Sequence, residues 1–182
     1  MDFTSLFNYC PVCGSADFIG HSVKSKQCGR CGFEFFMNAA AAVATFIVNE
    51  AGDLLVCRRA KEPAKGMLDL AGGFVDADET VENALKREIN EELGAQVTNA
   101  RYLFSLPNRY EYCGLAIPTL DLFFECKLLL VNDLVPSDDV EECFFVPLKD
   151  INVELFGLNS IREGVAKYLK AKLQTPTGTQ FL

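Results

Sequence analysis

The chain has no apolar run approaching the roughly 20 residues that a bilayer-spanning helix needs, which argues against a helical membrane span. Its start, Met1 to Tyr9, lacks a basic stretch followed by a long apolar one, so it does not read as a secretory signal. A cytoplasmic location is expected. Cations are scarce: 17 Lys and Arg stand against 25 Asp and Glu, a formal net charge of −8. That balance works against non-specific binding to a nucleic-acid backbone or an anionic membrane, both of which need clustered Lys and Arg. No nucleic acid and no membrane partner is therefore expected. A small anionic substrate remains compatible if metal ions supply the positive charge. Internal repeats and low-complexity tracts are absent too.

What is present is ordinary globular material, 49% hydrophobic and 23% charged, in 182 residues. That length suits one domain and a small appendage. The eight cysteines divide into two groups. Cys57, Cys113, Cys126 and Cys143 are scattered among Val, Leu and Phe, where reduced cysteine acts as a small core hydrophobe. The other four form two knuckles, Cys10-Pro-Val-Cys13-Gly and Cys28-Gly-Arg-Cys31-Gly, with fourteen residues between Cys13 and Cys28. Each C-x-x-C brings two thiolates to one side of a tight turn, and the following glycine tolerates the backbone shape. Together they offer the four sulfurs of a closed, structural Zn²⁺ site. Buried thiols, disulfides and a rubredoxin-like iron site are the alternatives. A ribbon this small buries little core, so the metal would supply most of its folding energy. Its Lys24, Lys26 and Arg30 are balanced by Asp2, Asp17 and Glu34, which suggests support of a homodimer or of a substrate pocket over contact with phosphate chains.

Three segments are expected: a zinc ribbon over residues 1–38, a catalytic domain over 39–175 and a flexible tail over 176–182. Within the second, Ala41–Val48 and Leu54–Arg58 read as strands joined by a hairpin-like turn, and Met67–Leu70 as a short strand. A helix is predicted from about Thr80 to Leu93, with Asp78 as N-cap and Gly94 just past the end. Gln96–Ser105, Thr119–Leu129 and Cys143–Val146 are further strands. Leu158–Leu173 reads as an amphipathic helix with Ile161, Val165, Tyr168 and Leu169 on one side. This order suits a mixed α/β sandwich better than a doubly wound parallel sheet.

The first helix carries the chemistry. At about 100° per residue, Glu88, Glu91 and Glu92 fall within about one hundred degrees of arc. The same arc holds Val81, Ala84 and Leu85, while Asn83, Lys86 and Asn90 lie opposite. An apolar stripe thus runs into three carboxylates. Like charges at these spacings repel, and the last turn of a helix disfavours anions. Divalent cations among the carboxylates would remove these costs, and hard oxygen ligands suit Mg²⁺ or Mn²⁺. A solvated charged face is the competing reading.

The segment resembles the Nudix box, G-x5-E-x7-R-E-U-x-E-E-x-G-U, with U a bulky aliphatic residue. Gly73, Glu79, Arg87, Glu88, Ile89, Glu91, Glu92 and Gly94 match, and only Ala95 departs. The resemblance implies a Nudix-type α/β/α sandwich with a mixed sheet, here preceded by the four-cysteine ribbon. It implies Glu88, Glu91, Glu92 and the Gly73 carbonyl as ligands of the catalytic metal, and a Glu79–Arg87 ion pair that shapes the loop before the helix. The implied reaction is metal-dependent attack of water on the pyrophosphate link of a nucleoside diphosphate derivative such as NADH, NAD or ADP-ribose. Asp139, Glu141 and Glu142 join the box glutamates as candidate general bases. A ribbon ahead of the domain resembles the NADH pyrophosphatase branch, typically marked by S-Q-P-W-P-F-P-x-S after the box. Here Ser105-Leu106-Pro107-Asn108 keeps the serine and first proline only, and the chain has no tryptophan. Arg109 could pair with phosphate, and Tyr110 or Tyr112 could stack on a base. The alternative function is a nucleotide-sensing regulatory module without catalysis.

Overall fold

The computed structural model describes residues 7–112, 114–129 and 134–174. Cys113 and the tail 176–182 lie outside them. Two compact units emerge: one of residues up to Ala40 together with Arg109–Pro118, the other of Ala41–Asn108 and the remainder from Thr119.

In the first unit, β1 (Phe18–Ser22), β2 (Ser25–Cys28) and β3 (Glu34–Phe36) form an antiparallel meander. Its interior is small, consisting of Cys10, Phe18 and Cys28 with Cys13, Phe33 and Phe35 packed around them. The glycine after each knuckle is left-handed, Gly14 at φ 70° and Gly32 at φ 76°. Each donates its N–H back to the first cysteine of its pair, to the carbonyls of Cys10 and Cys28, both at 2.9 Å. Residues with a Cβ resist that conformation.

The second unit holds two helices and most of two three-stranded sheets. β4 (Ala40–Ile47), β8 (Leu115–Leu128) and β7 (Val97–Tyr112) pair in the order β4-β8-β7; β6 (Leu68–Asp69), β5 (Asp53–Arg59) and β9 (Val140–Pro147) pair in the order β6-β5-β9. Alternation along the strands divides the interior into two layers. Val43, Ile47, Leu55, Cys57 and Phe124 pack with Leu85, Ile89 and Leu93 of α1 (Val81–Leu93). Phe46, Leu54, Val56, Phe104 and Phe123 pack with Ile161, Val165 and Tyr168 of α2 (Asn159–Gln174). This is the α/β/α sandwich.

α2 docks on β8 through matched spacings, because two strand residues advance about as far as four helical ones. The Ser160 hydroxyl donates to Asp121. A Cβ at Gly164 would sit 2.4 Å from the Phe123 ring. Tyr168 stacks on Phe46 at 4.0 Å and donates to Glu125 at 3.2 Å. Cys57 and Cys126 are buried, and Cys143 is half-buried opposite Cys57 across β5 and β9.

Two local readings need correction. The helix begins at Val81 with Thr80 as its N-cap, whose hydroxyl accepts the Asn83 N–H at 3.3 Å. Asp78 sits two residues further out, at φ 63°; it turns the chain and leaves the capping to Thr80. β7 also runs on past Ser105 to Tyr112 through Pro107. It is an edge strand, where a missing N–H is tolerated. Among the described residues no helix is long and apolar enough to cross a membrane.

Candidate functional site

The carboxylates of α1 occupy three different environments. Glu92 is 7% exposed and its side chain accepts the Gly72 N–H at 2.9 Å. Burial pushes its carboxyl well above the usual range; the Gly72 bond opposes this, and the charges of Asp69, Glu88 and Asp139 add to the rise. Glu88 is half-buried and is also raised by desolvation, against the pull of Arg87. Glu91 is exposed. The solvent-facing and core-facing sides foreseen for this helix are therefore present, with the carboxylates straddling the border.

Two glycines leave the room for this arrangement. Gly72 has φ 144°, and a Cβ there would lie 2.1 Å from the Val43 carbonyl oxygen. A Cβ on Gly73 would lie 2.6 Å from the Glu88 carboxyl. The Gly73 carbonyl accepts the Val43 N–H at 2.8 Å and keeps a second lone pair for another partner.

Arg87 is the hub beside them. It reaches Glu79 at 2.8 Å, Glu88 at 2.8 Å, Glu91 at 3.1 Å and the Phe74 carbonyl at 2.9 Å. Its hydrogen bonds hold the Glu79 carboxyl below the usual range, and Glu79 in turn accepts the Asp76 N–H. The pair thus ties the loop before α1 to the helix. Among the described residues no such cation pairs with Glu92. The last turn of α1 carries no basic residue; instead backbone donors meet its terminal carbonyls, Ser137 N–H on Glu92 at 2.9 Å and Val135 N–H on Leu93 at 3.0 Å.

Sequence reasoning missed several contributors. Arg59 and Asp69 form a buried pair at 2.5 Å, and Arg59 also donates to the Pro63 carbonyl. The signal was available: two arginines in a row ending an apolar strand. Lys61 binds Asp138 at 2.7 Å and Asp139 at 2.6 Å, which raises its ammonium pKa. Asp121 is buried and accepts from Asn108, Thr119 and Ser160. Among the candidate bases, Asp139 is half-buried and its charge acts on Glu92, whereas Glu142 is bound by Arg58 at 2.6 Å and Glu141 is exposed. Arg109, Tyr110 and Tyr112 lie at the far end of β7 and belong to the four-cysteine unit.

In that unit the Sγ atoms of Cys10, Cys13, Cys28 and Cys31 all lie within 4.8 Å of one another. Cys10 and Cys31 are 3.7 Å apart, Cys13 and Cys28 3.6 Å. Zinc bonded tetrahedrally to sulfur at about 2.3 Å requires S···S edges of about 3.8 Å, so the donor set fits. The Cys31 N–H is the largest influence bringing the Cys28 thiol down to about 6. For the α1 site the fit is chemical: a buried carboxyl among other acidic groups, with one backbone donor and no paired cation among the described residues, is the environment a hard divalent ion satisfies.

A family model described as NUDIX domain matches residues 38–169. An NAD-capped RNA hydrolase NudC from Vibrio vulnificus is 32% identical over 106 residues, covering 57% of this chain and 39% of its own length. That of Deinococcus radiodurans is 28% identical over 155 residues, covering 83% and 52%. The chain thus spans between two-fifths and about half of these relatives. Among solved structures, a NUDIX hydrolase from Nitrosomonas europaea aligns with a TM-score of 0.73 at 22% identity, covering 96% of this chain and 97% of that one. The NUDIX domain of Shewanella oneidensis NrtR, in complex with ADP ribose, aligns with a TM-score of 0.60 at 16% identity, covering 77% and 91%. At those identities the likeness speaks to the fold. With the family model running over most of its length and the acidic helix inside that match, the chain belongs to the NUDIX family.

Proposed function

We propose that this protein is a divalent-metal-dependent pyrophosphohydrolase that cleaves the diphosphate link of an adenine dinucleotide or ADP-ribose-like nucleotide. The observation that carries the reading is Glu92: a buried carboxyl, hydrogen-bonded to Gly72, whose proton affinity is raised by burial and by the charges of Asp69, Glu88 and Asp139, with no cation paired to it among the described residues. A pure binding module has no need of such a carboxylate, which raises the cost of the metal-free fold. The NudC relatives are named as hydrolases of NAD-capped RNA, which supports the NAD-like substrate class.

In this reading Glu88, Glu91, Glu92 and the Gly73 carbonyl hold Mg²⁺ or Mn²⁺. Bound there, the metal supplies charge neutralisation of the diphosphate and a lowered pKa for the attacking water. Arg87 keeps Glu88 and Glu91 aligned through its shared hydrogen bonds. Asp139 is the favoured general base of the acidic loop, because of Asp139, Glu141 and Glu142 it is the one whose charge acts on Glu92. Lys61, bound to Asp138 and Asp139, restrains that loop. The four cysteines hold a structural zinc.

The test is nucleotide release from NADH, NAD, ADP-ribose, diadenosine polyphosphates and nucleoside triphosphates, with Mg²⁺ and then Mn²⁺. Turnover of the adenine dinucleotides or ADP-ribose, lost in Glu91→Gln, is the expected result. A protein that binds these nucleotides and turns over none of the panel would instead be a non-catalytic nucleotide sensor.

A further inference from the structure

A concavity of about 260 Å³ lies on the face of β5 and β9 turned away from α1. The faces follow from strand alternation: Cys57 and Leu55 pack toward α1, whereas Val56 and Arg58 pair across the ladder with Phe144 and Glu142. Buried Val56, Leu68 and Phe156 line it, together with Met67 and Phe144. The apolar slot is therefore bounded by an aromatic ring and a thioether, both of which favour a flat π system.

Its rim is polar and partly fixed. Arg58 donates to Glu142 at 2.6 Å and to the Gly66 carbonyl at 2.7 Å, which holds its guanidinium 5.9 Å from the Phe144 ring centre. Asn152 accepts the Glu154 N–H at 3.1 Å through its side-chain oxygen, so its NH2 group is left as a donor. Asp150, two residues away, adds a carboxylate acceptor. Among the described residues neither the Asn152 NH2 nor the Asp150 carboxylate has a partner. Both residues line the cavity, and an acceptor and a donor on the lining of an apolar slot match a planar base whose exocyclic amine adjoins a ring nitrogen acceptor.

We propose that this cavity seats the adenine ring of the nucleotide, its amine donating to Asp150 and a ring nitrogen accepting from Asn152. The assignment rests on the reading of the chain as a hydrolase of an adenine nucleotide. It adds the recognition residues, none of which lies in the acidic helix. Glu142, which holds Arg58 at the rim, follows Asp138 and Asp139 in the same acidic segment, so base recognition and the metal-facing acids share one stretch of chain.

The probe is adenosine, titrated into the zinc-loaded protein without added divalent ion and followed by the methyl resonance of Met67. The chain has three methionines, so the signal is readily assigned. A nucleoside-sized ligand in such a slot is expected to saturate with a Kd on the order of 0.1–1 mM. Asp150→Ala should weaken binding about tenfold, as expected for one lost hydrogen bond to a charged group. Leu155→Trp, at a half-exposed rim position, should abolish it without touching the core. A Met67 signal unmoved by adenosine, moved equally by uridine, or still moved in Leu155→Trp would overturn the assignment. Turnover of ADP-ribose by the wild type with Mg²⁺ is scored beside it. Turnover without an adenosine response sinks the cavity assignment alone; an adenosine response without turnover sinks the hydrolase reading alone.

Discussion

Replacing Glu92 by Gln should stabilise the protein in the absence of divalent metal and remove its response to Mg²⁺ or Mn²⁺. Glutamine keeps the shape of the side chain and an oxygen to accept the Gly72 N–H, so the perturbation is the charge. In the unfolded chain the Glu92 carboxyl titrates near 4.5, and in the folded chain burial and the neighbouring anions raise it well above that. Between the two values the folded protein holds a proton that the unfolded one has released. Stability therefore falls as pH rises, by about 1.4 kcal/mol per pH unit across that window. For a chain of this length that is roughly 3–6 °C of melting temperature per pH unit. Glu92→Gln has no such slope, so its advantage over wild type should widen as pH rises above about 4.5 toward the raised folded-state value. Adding Mg²⁺ at about one hundred times its Kd should stabilise the wild type by about 2.7 kcal/mol, or roughly 5–10 °C, because the ion binds only the native state. The variant should barely respond. Thermal melts of the zinc-loaded protein across pH, with and without Mg²⁺, make the measurement. A variant that melts below wild type without metal at the upper pH, or that gains as much from Mg²⁺, would refute the reasoning.

Arg59→Met should cost about 3–5 kcal/mol in urea unfolding, because it leaves buried Asp69 uncompensated and the Pro63 carbonyl without that donor. Adding Asp69→Leu should recover much of the loss, whereas an equally unstable double variant would point to packing as the cause. Gly164→Ala should destabilise by about 1–3 kcal/mol even though alanine is the better helix former. Its Cβ would stand 2.4 Å from Phe123, and a neutral or stabilising result would mean that α2 shifts freely on β8.

Local pattern was enough to read much of this protein. The knuckle spacing and the glycines after each pair identify a four-sulfur site because the turn is built from adjacent residues. The start of α1 near Thr80, its stop at Gly94 and the bond from Arg87 to Glu79, just before the helix, are likewise local. The buried stripe of α2 follows from its periodicity alone. Distances along the sequence could not rank the three box glutamates, which share one arc. Gly72, twenty residues away, supplies the donor that draws Glu92 inward, and Val43 closes the space behind that glycine. The Arg59–Asp69 pair, the Lys61 restraint on Asp138 and Asp139, and the buried Asp121 cluster arise where separate strands and loops meet. The extension of β7 through Pro107 depended on its place at a sheet edge. Periodicity tells which side of an element is apolar; only the packed chain tells which polar group stands opposite a given carboxylate, and that partner sets its charge, its burial and its chemistry.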